Sequence, residues 1–314
     1  MKKARPFGTT GACTHPVACP NAADILTNVD TVLSDIVELL RLERLEKNLF
    51  RGKSRDIGSE RVFGGQVLGQ ALVAATATVD GRSAHSLHGY FLRPGDVSAP
   101  IVYHVDRSRD GGSFTSRRVV AIQHGEQIFH MAASFQTPEV GLEHQVAMPQ
   151  VPPPESLRRI DDIDETLLAR APEKLRRVIE NARPFDTRPV DPIDPLQVQT
   201  RPPKREIWVR TAERVGDDEG LHRALLAYFS DYHFISTAML PHGLSYLSSG
   251  VQVASLDHAM WFHRPFRVDE WLLLAYESPT ASGGRGFARG SIFSHDGRLV
   301  ASTAQEGLIR VRRK

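Results

Sequence analysis

One stretch limits the possible folds more than any other. Gly64 to Val79 reads GGQVLGQALVAATATV, built of small residues and apolar on nearly every face. A surface helix keeps a broad polar side, and this one does not, so other structure must enclose it. Small side chains also allow a sheet to approach the helix backbone closely.

Strands follow that helix. His85 to Leu92, Ile101 to Asp106, Ser116 to Gln123 and Gln127 to Phe135 are rich in Val, Ile, Phe and Tyr, and His124-Gly125 makes a turn between the last two. The second half repeats this order. A strand at Ile207 to Thr211 and a helix at Leu221 to Leu240 precede strands at Val251 to Phe262, Trp271 to Glu277, Gly286 to Ser294 and Arg298 to Val311. Phe91-Leu-Arg93-Pro94 echoes Phe262-His-Arg264-Pro265, and Gly111-Gly-Ser-Phe114 echoes Gly283-Gly-Arg-Gly-Phe287. A period of about 172 residues is too long for a solenoid and fits a tandem pair of domains. The expected class is α+β, two antiparallel sheets each wrapped around a central helix.

The boundaries come from texture. Residues 1–31 carry no periodicity and read as a disordered tail. Residues 32–138 form the first domain, opened by a helical pattern from Ser34 to Phe50 (Ile36, Leu39, Leu40, Leu42, Leu45, Leu49). Residues 139–204 form a stiff connector containing Pro152-Pro153-Pro154 and Pro202-Pro203, with a helical stretch around Glu155 to Ile179. Residues 205–314 form the second domain.

Composition removes whole classes. With 39 Lys+Arg against 37 Asp+Glu, the net charge of +2 does not suit a protein defined by nucleic-acid contacts. No run approaches a membrane span, and the opening stretch has no apolar core of a secretory leader. The two cysteines, Cys13 and Cys19, make no disulfide framework, which points to the reducing cytoplasm. With His15 they offer three ligands at no zinc spacing, so no metal is expected. A G-x-S-x-G elbow, a complete P-loop, a dinucleotide fingerprint before a helix and an H-E-x-x-H pair are all absent.

Polar residues on apolar faces remain. Asp231 lies in the second-half helix among Phe229, Tyr232, Phe234 and Ile235, where lost hydration raises a carboxyl's proton affinity. Ser255 shares a strand face with Val251 and Val253, and Gln305 shares one with Leu299, Ala301, Ile309 and Val311, while Glu306 points the other way. Each also has a structural reading: Asp231 capping a helix break, Ser255 bonding its own backbone, Gln305 satisfying a buried carbonyl. On the residues alone the two readings balance.

At these positions the sequence resembles the acyl-CoA thioesterase II family, the tandem hotdog enzymes of bacteria and their peroxisomal relatives. The matching stretches are LFRGKSRDIGSERVFGGQVLGQAL from Leu49, HSLHGYFLRPGD from His85, RDGGSFTSRRVVAIQ from Arg109, VASLDHAMWFHRPFRVDEWLL from Val253 and ARGSIFSHDGRLVASTAQEG from Ala288. The likeness spans Ser34 to Arg310. It implies a double hotdog that hydrolyses fatty acyl-CoA thioesters to free fatty acid and CoA without a cofactor. By motif, the family's catalytic Asp, Thr and Gln fall on Asp231, Ser255 and Gln305, with Ser in place of Thr at 255. Gly64 and Gly65, opening a helix, are candidates to meet the oxyanion with backbone N–H groups. Arg285, Arg289, Arg310 and Arg312 are candidates for the CoA phosphates. A homodimer or larger closed oligomer is expected. Three alternatives stand beside this expectation: a Ser255 nucleophile, an enoyl-CoA hydratase on the same fold, and a non-enzymatic acyl-CoA binding protein. The hydratases' G-D-x-N-P-x-H signature is absent.

Overall fold

The computed structural model describes residues 33–58, 61–162, 184–194 and 199–312. The tail with Cys13 and Cys19 lies outside them, as do residues 163–179 of the expected connector helix. In the first half a helix α1 (residues 33–40) precedes β1 (Glu43–Glu46), β2 (Leu49–Gly52), α2 (Gly64–Thr76), β3 (Ser83–Phe91), β4 (Ile101–Asp110), β5 (Phe114–Gln123) and β6 (Glu126–Gln136). In the second half come β7 (Phe185–Pro189), β8 (Lys204–Thr211), α3 (Glu219–Ser230), α4 (Phe234–Met239), β9 (Val251–Ser255), β10 (Asp257–Phe262), β11 (Leu272–Ser282), β12 (Arg285–Ser294) and β13 (Leu299–Val311).

Each half is a sheet wrapped on helix, the double hotdog that the resemblance implies. The first half's order β1-β2-β4-β5-β6-β3 returns in the second as β7-β8-β11-β12-β13-β10. The two sheets are hydrogen-bonded edge to edge through antiparallel β3 and β10, so they run on as one sheet. This pairing closes two edges that would otherwise present unpaired backbone. Its register records the duplication. Phe91 and Phe262 are equivalents 171 positions apart, and at the same offset His88 is paired with its own equivalent, Ala259. A pseudo-twofold axis therefore passes between those two residues.

Four expectations change in detail. The helical pattern from Ser34 stops at residue 40, and the β1–β2 hairpin takes its second half. There Phe50 is buried opposite Tyr103 of β4, a pairing that outweighs local propensity. The Leu221–Leu240 helix is broken after Ser230, because His233 turns left-handed (φ 75°) before α4 begins. The strand from Val251 to Phe262 divides at Leu256: β9 pairs β13, whereas β10 also pairs β3. At residues 154–162 the connector forms a single 3-10 turn, Pro154–Ser156, and β7 follows later as an unexpected edge strand. The His124-Gly125 turn is present, both residues having positive φ (51° and 80°), as a tight hairpin requires.

The small residues of α2 serve a different neighbour from the one expected. Its closest approach is to α3 of the other half rather than to a sheet. A Cβ on Gly65 would stand 2.1 Å from the Tyr228 carbonyl oxygen, and one on Gly69 would stand 3.1 Å from that of Ala224. The two helices touch backbone to backbone. Leu68 and Leu72 of α2 are fully enclosed and contribute roughly 2 kcal/mol each through burial. Buried residues of both halves form one continuous core. The connector covers the outer face of the second half: Met148, Val151 and Leu157 pack on Trp208, Trp271, Leu273 and Phe293, and Trp208 Nε1 donates to the Pro152 carbonyl at 2.9 Å.

Candidate active site

The helix break makes the site. Asp218 caps the start of α3 by accepting from the N–H groups of Gly220 and Leu221, and the helix runs to Ser230. Asp231 is the C-cap, and the left-handed His233 then redirects the chain into α4. Asp231 thus sits where two short helices meet, with its side chain only 4% exposed.

Its partners come from both halves of the chain. Gln305 Nε2, on β13, donates to Asp231 Oδ1 at 2.6 Å. The Gly65 N–H, in the first turn of α2, also bonds the carboxyl group. The α2 N-terminus has neither a side-chain cap nor an acidic residue in its first turn, so Asp231 caps it from the other domain. A Cβ on Gly64 would stand 2.6 Å from Asp231 Oδ2, a gap that glycine keeps open. Burial pushes the Asp231 carboxyl up to about 7, and the bonds from Gln305 and Gly65 pull against that rise.

The structure joins Asp231 and Gln305 directly. Ser255 ends β9 opposite Gly307 of β13, on the sheet face that Gln305 and Gly307 share. It is half-buried and makes no direct hydrogen bond to Asp231 or Gln305. The N–H of Gly65, a candidate to meet the oxyanion, bonds the Asp231 carboxyl group here. Of the arginines proposed for CoA phosphates, Arg285 pairs with Glu306 at 2.8 Å and Arg289 bonds Glu277 at 2.7 Å, while Arg310 and Arg312 are exposed near the end of β13.

One neighbour was missed. His258 of β10 is fully buried, and its Nδ1 lies 3.8 Å from Asp231 Oδ1. Period-two counting places it inward with Met260 and Phe262, so an imidazole on an apolar strand face was the available signal. Burial pushes its pKa down to about 3, and the ring is neutral. Among the described residues no group of three or more His, Cys, Asp or Glu is placed to hold a metal ion. No helix among them is long and apolar enough to cross a membrane.

A buried carboxyl near neutrality, an amide fixed on it and a hydroxyl on the same face can deprotonate and hold a water molecule. Comparison with known proteins agrees with hydrolytic chemistry. Residues 179–308 match the family model described as acyl-CoA thioesterase, and residues 51–136 match the acyl-CoA thioesterase N-terminal domain. Acyl-CoA thioesterase 2 of Haemophilus influenzae is 44% identical over 280 residues, which is 89% of this chain and 98% of that protein. The crystal structure of the acyl-CoA thioesterase II TesB2 from Mycobacterium marinum is similar at 45% identity and TM-score 0.72, covering 88% of this chain and 98% of that one. A hot dog fold protein of unknown function from Alicyclobacillus acidocaldarius, 21% identical with TM-score 0.71 over 89% of this chain and 99% of its own, shares the fold.

Proposed function

The chain belongs to the acyl-CoA thioesterase family and hydrolyses acyl-CoA thioesters, and we propose that it does so with a water activated by Asp231. The reading rests on the buried Asp231 carboxyl bonded to Gln305 at 2.6 Å. Ionised Asp231 accepts a proton from a water that the Ser255 hydroxyl and the Gln305 amide orient. The water oxygen attacks the thioester carbonyl. The tetrahedral intermediate then collapses to a fatty acid, and sulfur leaves as the CoA thiol. A base poised at about 7 is well matched to this task. Gly65 N–H serves Asp231, so Gly64, with the first N–H of α2, is the remaining oxyanion donor from that helix.

Asp231→Asn keeps the shape and loses the base, so kcat is expected to fall at least about a hundredfold. Turnover near wild type would overturn the scheme. Direct attack by Ser255 is disfavoured because His258, the buried imidazole at the site, faces Ser230 and Thr303 with Nε2 and Asp231 with Nδ1. Mass spectrometry during turnover should find no acylated Ser255.

The same reading takes the substrates to be fatty acyl-CoAs and the compartment to be the cytoplasm, the latter supported by the sparse cysteines. It also takes the protein to be a homodimer or larger closed oligomer. Tyr90 (54% exposed) and Trp261 (37%) project from the same face of the central β3–β10 pair, with His88 and Ala259 between them, a face suited to a second copy. Mass photometry finding only single chains would refute the assembly.

A further inference from the structure

The hydroxyl bonds around His258 favour one placement of its ring proton. Ser230 Oγ donates to the Ala227 carbonyl at 2.9 Å, and Thr303 Oγ1 donates to the Ala259 carbonyl at 2.9 Å. Each hydroxyl has a single proton to give. With both protons committed, the two oxygens at 3.0 and 3.1 Å from His258 Nε2 act as acceptors. Nε2 therefore carries the ring hydrogen, and Nδ1 is a bare lone pair. That nitrogen is buried, bonds no described residue and stands 3.8 Å from Asp231 Oδ1. Phe234 meets the ring edge-on at 5.5 Å and helps hold its plane.

A lone pair facing a carboxylate gains nothing until a proton lies between them. We propose that His258 is a positioning residue of the hydrolysis: its fixed, unprotonated Nδ1 receives, as an O–H···N bond, the proton that Asp231 Oδ1 takes from the attacking water. This rests on the Asp231 reading above. As the water oxygen bonds the acyl carbon, its proton moves to Oδ1, where Nδ1 holds it. When the carbon–sulfur bond breaks, its electron pair leaves on sulfur, and the held proton passes to that thiolate. The separation of 3.8 Å exceeds hydrogen-bond length, so the pair must close as the proton arrives on Oδ1.

The neighbours of the pair are few. From β13, Gln305 donates to Asp231, and its Oε1 has no bonding partner. From α2 comes the Gly65 N–H. The Tyr276 hydroxyl of β11 lies within electrostatic reach of Asp231 and is raised first by burial and then by that carboxyl group, which also raises the hydroxyl of the exposed Tyr246. Arg205 of β8 acts on those two tyrosines and is lowered to about 10 by burial. Within this set, the Nδ1 lone pair of His258 is the acceptor placed 3.8 Å from the carboxyl group. The histidine's low proton affinity keeps the shared proton nearer Asp231.

The test is the pH profile of kcat/KM for His258→Asn. Its amide turns an N–H donor toward Asp231, stabilising the carboxylate. The acid limb is expected to move down by about one pH unit, with kcat lower by about tenfold as the base weakens. A purely structural role would lower activity and leave the limb in place, which would overturn the proposal. Should that variant fail to fold, heteronuclear NMR of the wild-type ring nitrogens decides. Nδ1 without hydrogen and Nε2 with it supports the proposal, and an Nδ1–H refutes it. Asp231→Asn separates the two readings. Undiminished turnover there would remove the Asp231 scheme, whereas an inactive Asp231→Asn beside an unmoved His258→Asn limb would remove only the role of His258.

Discussion

The backbone N–H of Gly65 in the first half bonds the carboxyl group of Asp231 in the second. The positive end of one domain's helix is thereby satisfied by the other domain's acid. The contact is possible because nothing larger than hydrogen projects from Gly64 or Gly65. Docking of the halves and construction of the site are a single event.

Gly65→Ala tests that link. The added methyl would stand 2.1 Å from a backbone carbonyl, which cannot rotate away. Unfolding in denaturant should show a loss of about 3 kcal/mol or more, beyond an ordinary core overpacking. Gly112→Ala, where a Cβ meets nothing within 4 Å, serves as the neutral control.

Asp231→Asn should stabilise the protein, and increasingly so as pH rises. The folded carboxyl holds its proton up to about 7, against an ordinary value of 3.8. Between those values the folded state binds a proton that the unfolded chain has released, so wild-type stability falls with rising pH through that window. Asparagine carries no such cost. The variant's advantage in unfolding free energy should be absent near pH 4 and grow to about 2–4 kcal/mol above neutrality. A difference independent of pH would mean that the carboxyl is not raised.

Gln305→Leu should move the acid limb of kcat/KM the opposite way from His258→Asn. Gln305 donates to the carboxylate and lowers its proton affinity. Without that N–H, the limb should rise by about one pH unit. Rate profiles across neutral pH would measure it, and a fall in the limb would contradict the bond as described.

The sequence revealed most where a local pattern and a tertiary partner agree. β5 and β6 follow from alternation around His124-Gly125, and the duplicated motifs foretell two equivalent sheets. Asp231 and Gln305 stood out as polar groups on apolar faces, and they prove to be bonded to each other. What escaped depends on distant chain. β7 lies among prolines and is a strand because β8 pairs with it and Arg188 bonds Asp186. Val251 to Phe262 alternates without interruption, and only the competing claims of β3 and β13 divide it at Leu256. The role of His258 depends on which way two hydroxyls turn, something no residue pattern encodes.

The axis between His88 and Ala259 relates two copies whose fillings have diverged. At the same 171-residue offset, Ser255 corresponds to Ala84 and His258 to Leu87, both buried and both inert. In the proposed mechanism one copy supplies packing where the other supplies reactivity. Each polypeptide should therefore titrate with a single equivalent of a non-hydrolysable acyl-CoA, half the stoichiometry that two symmetric folds would suggest.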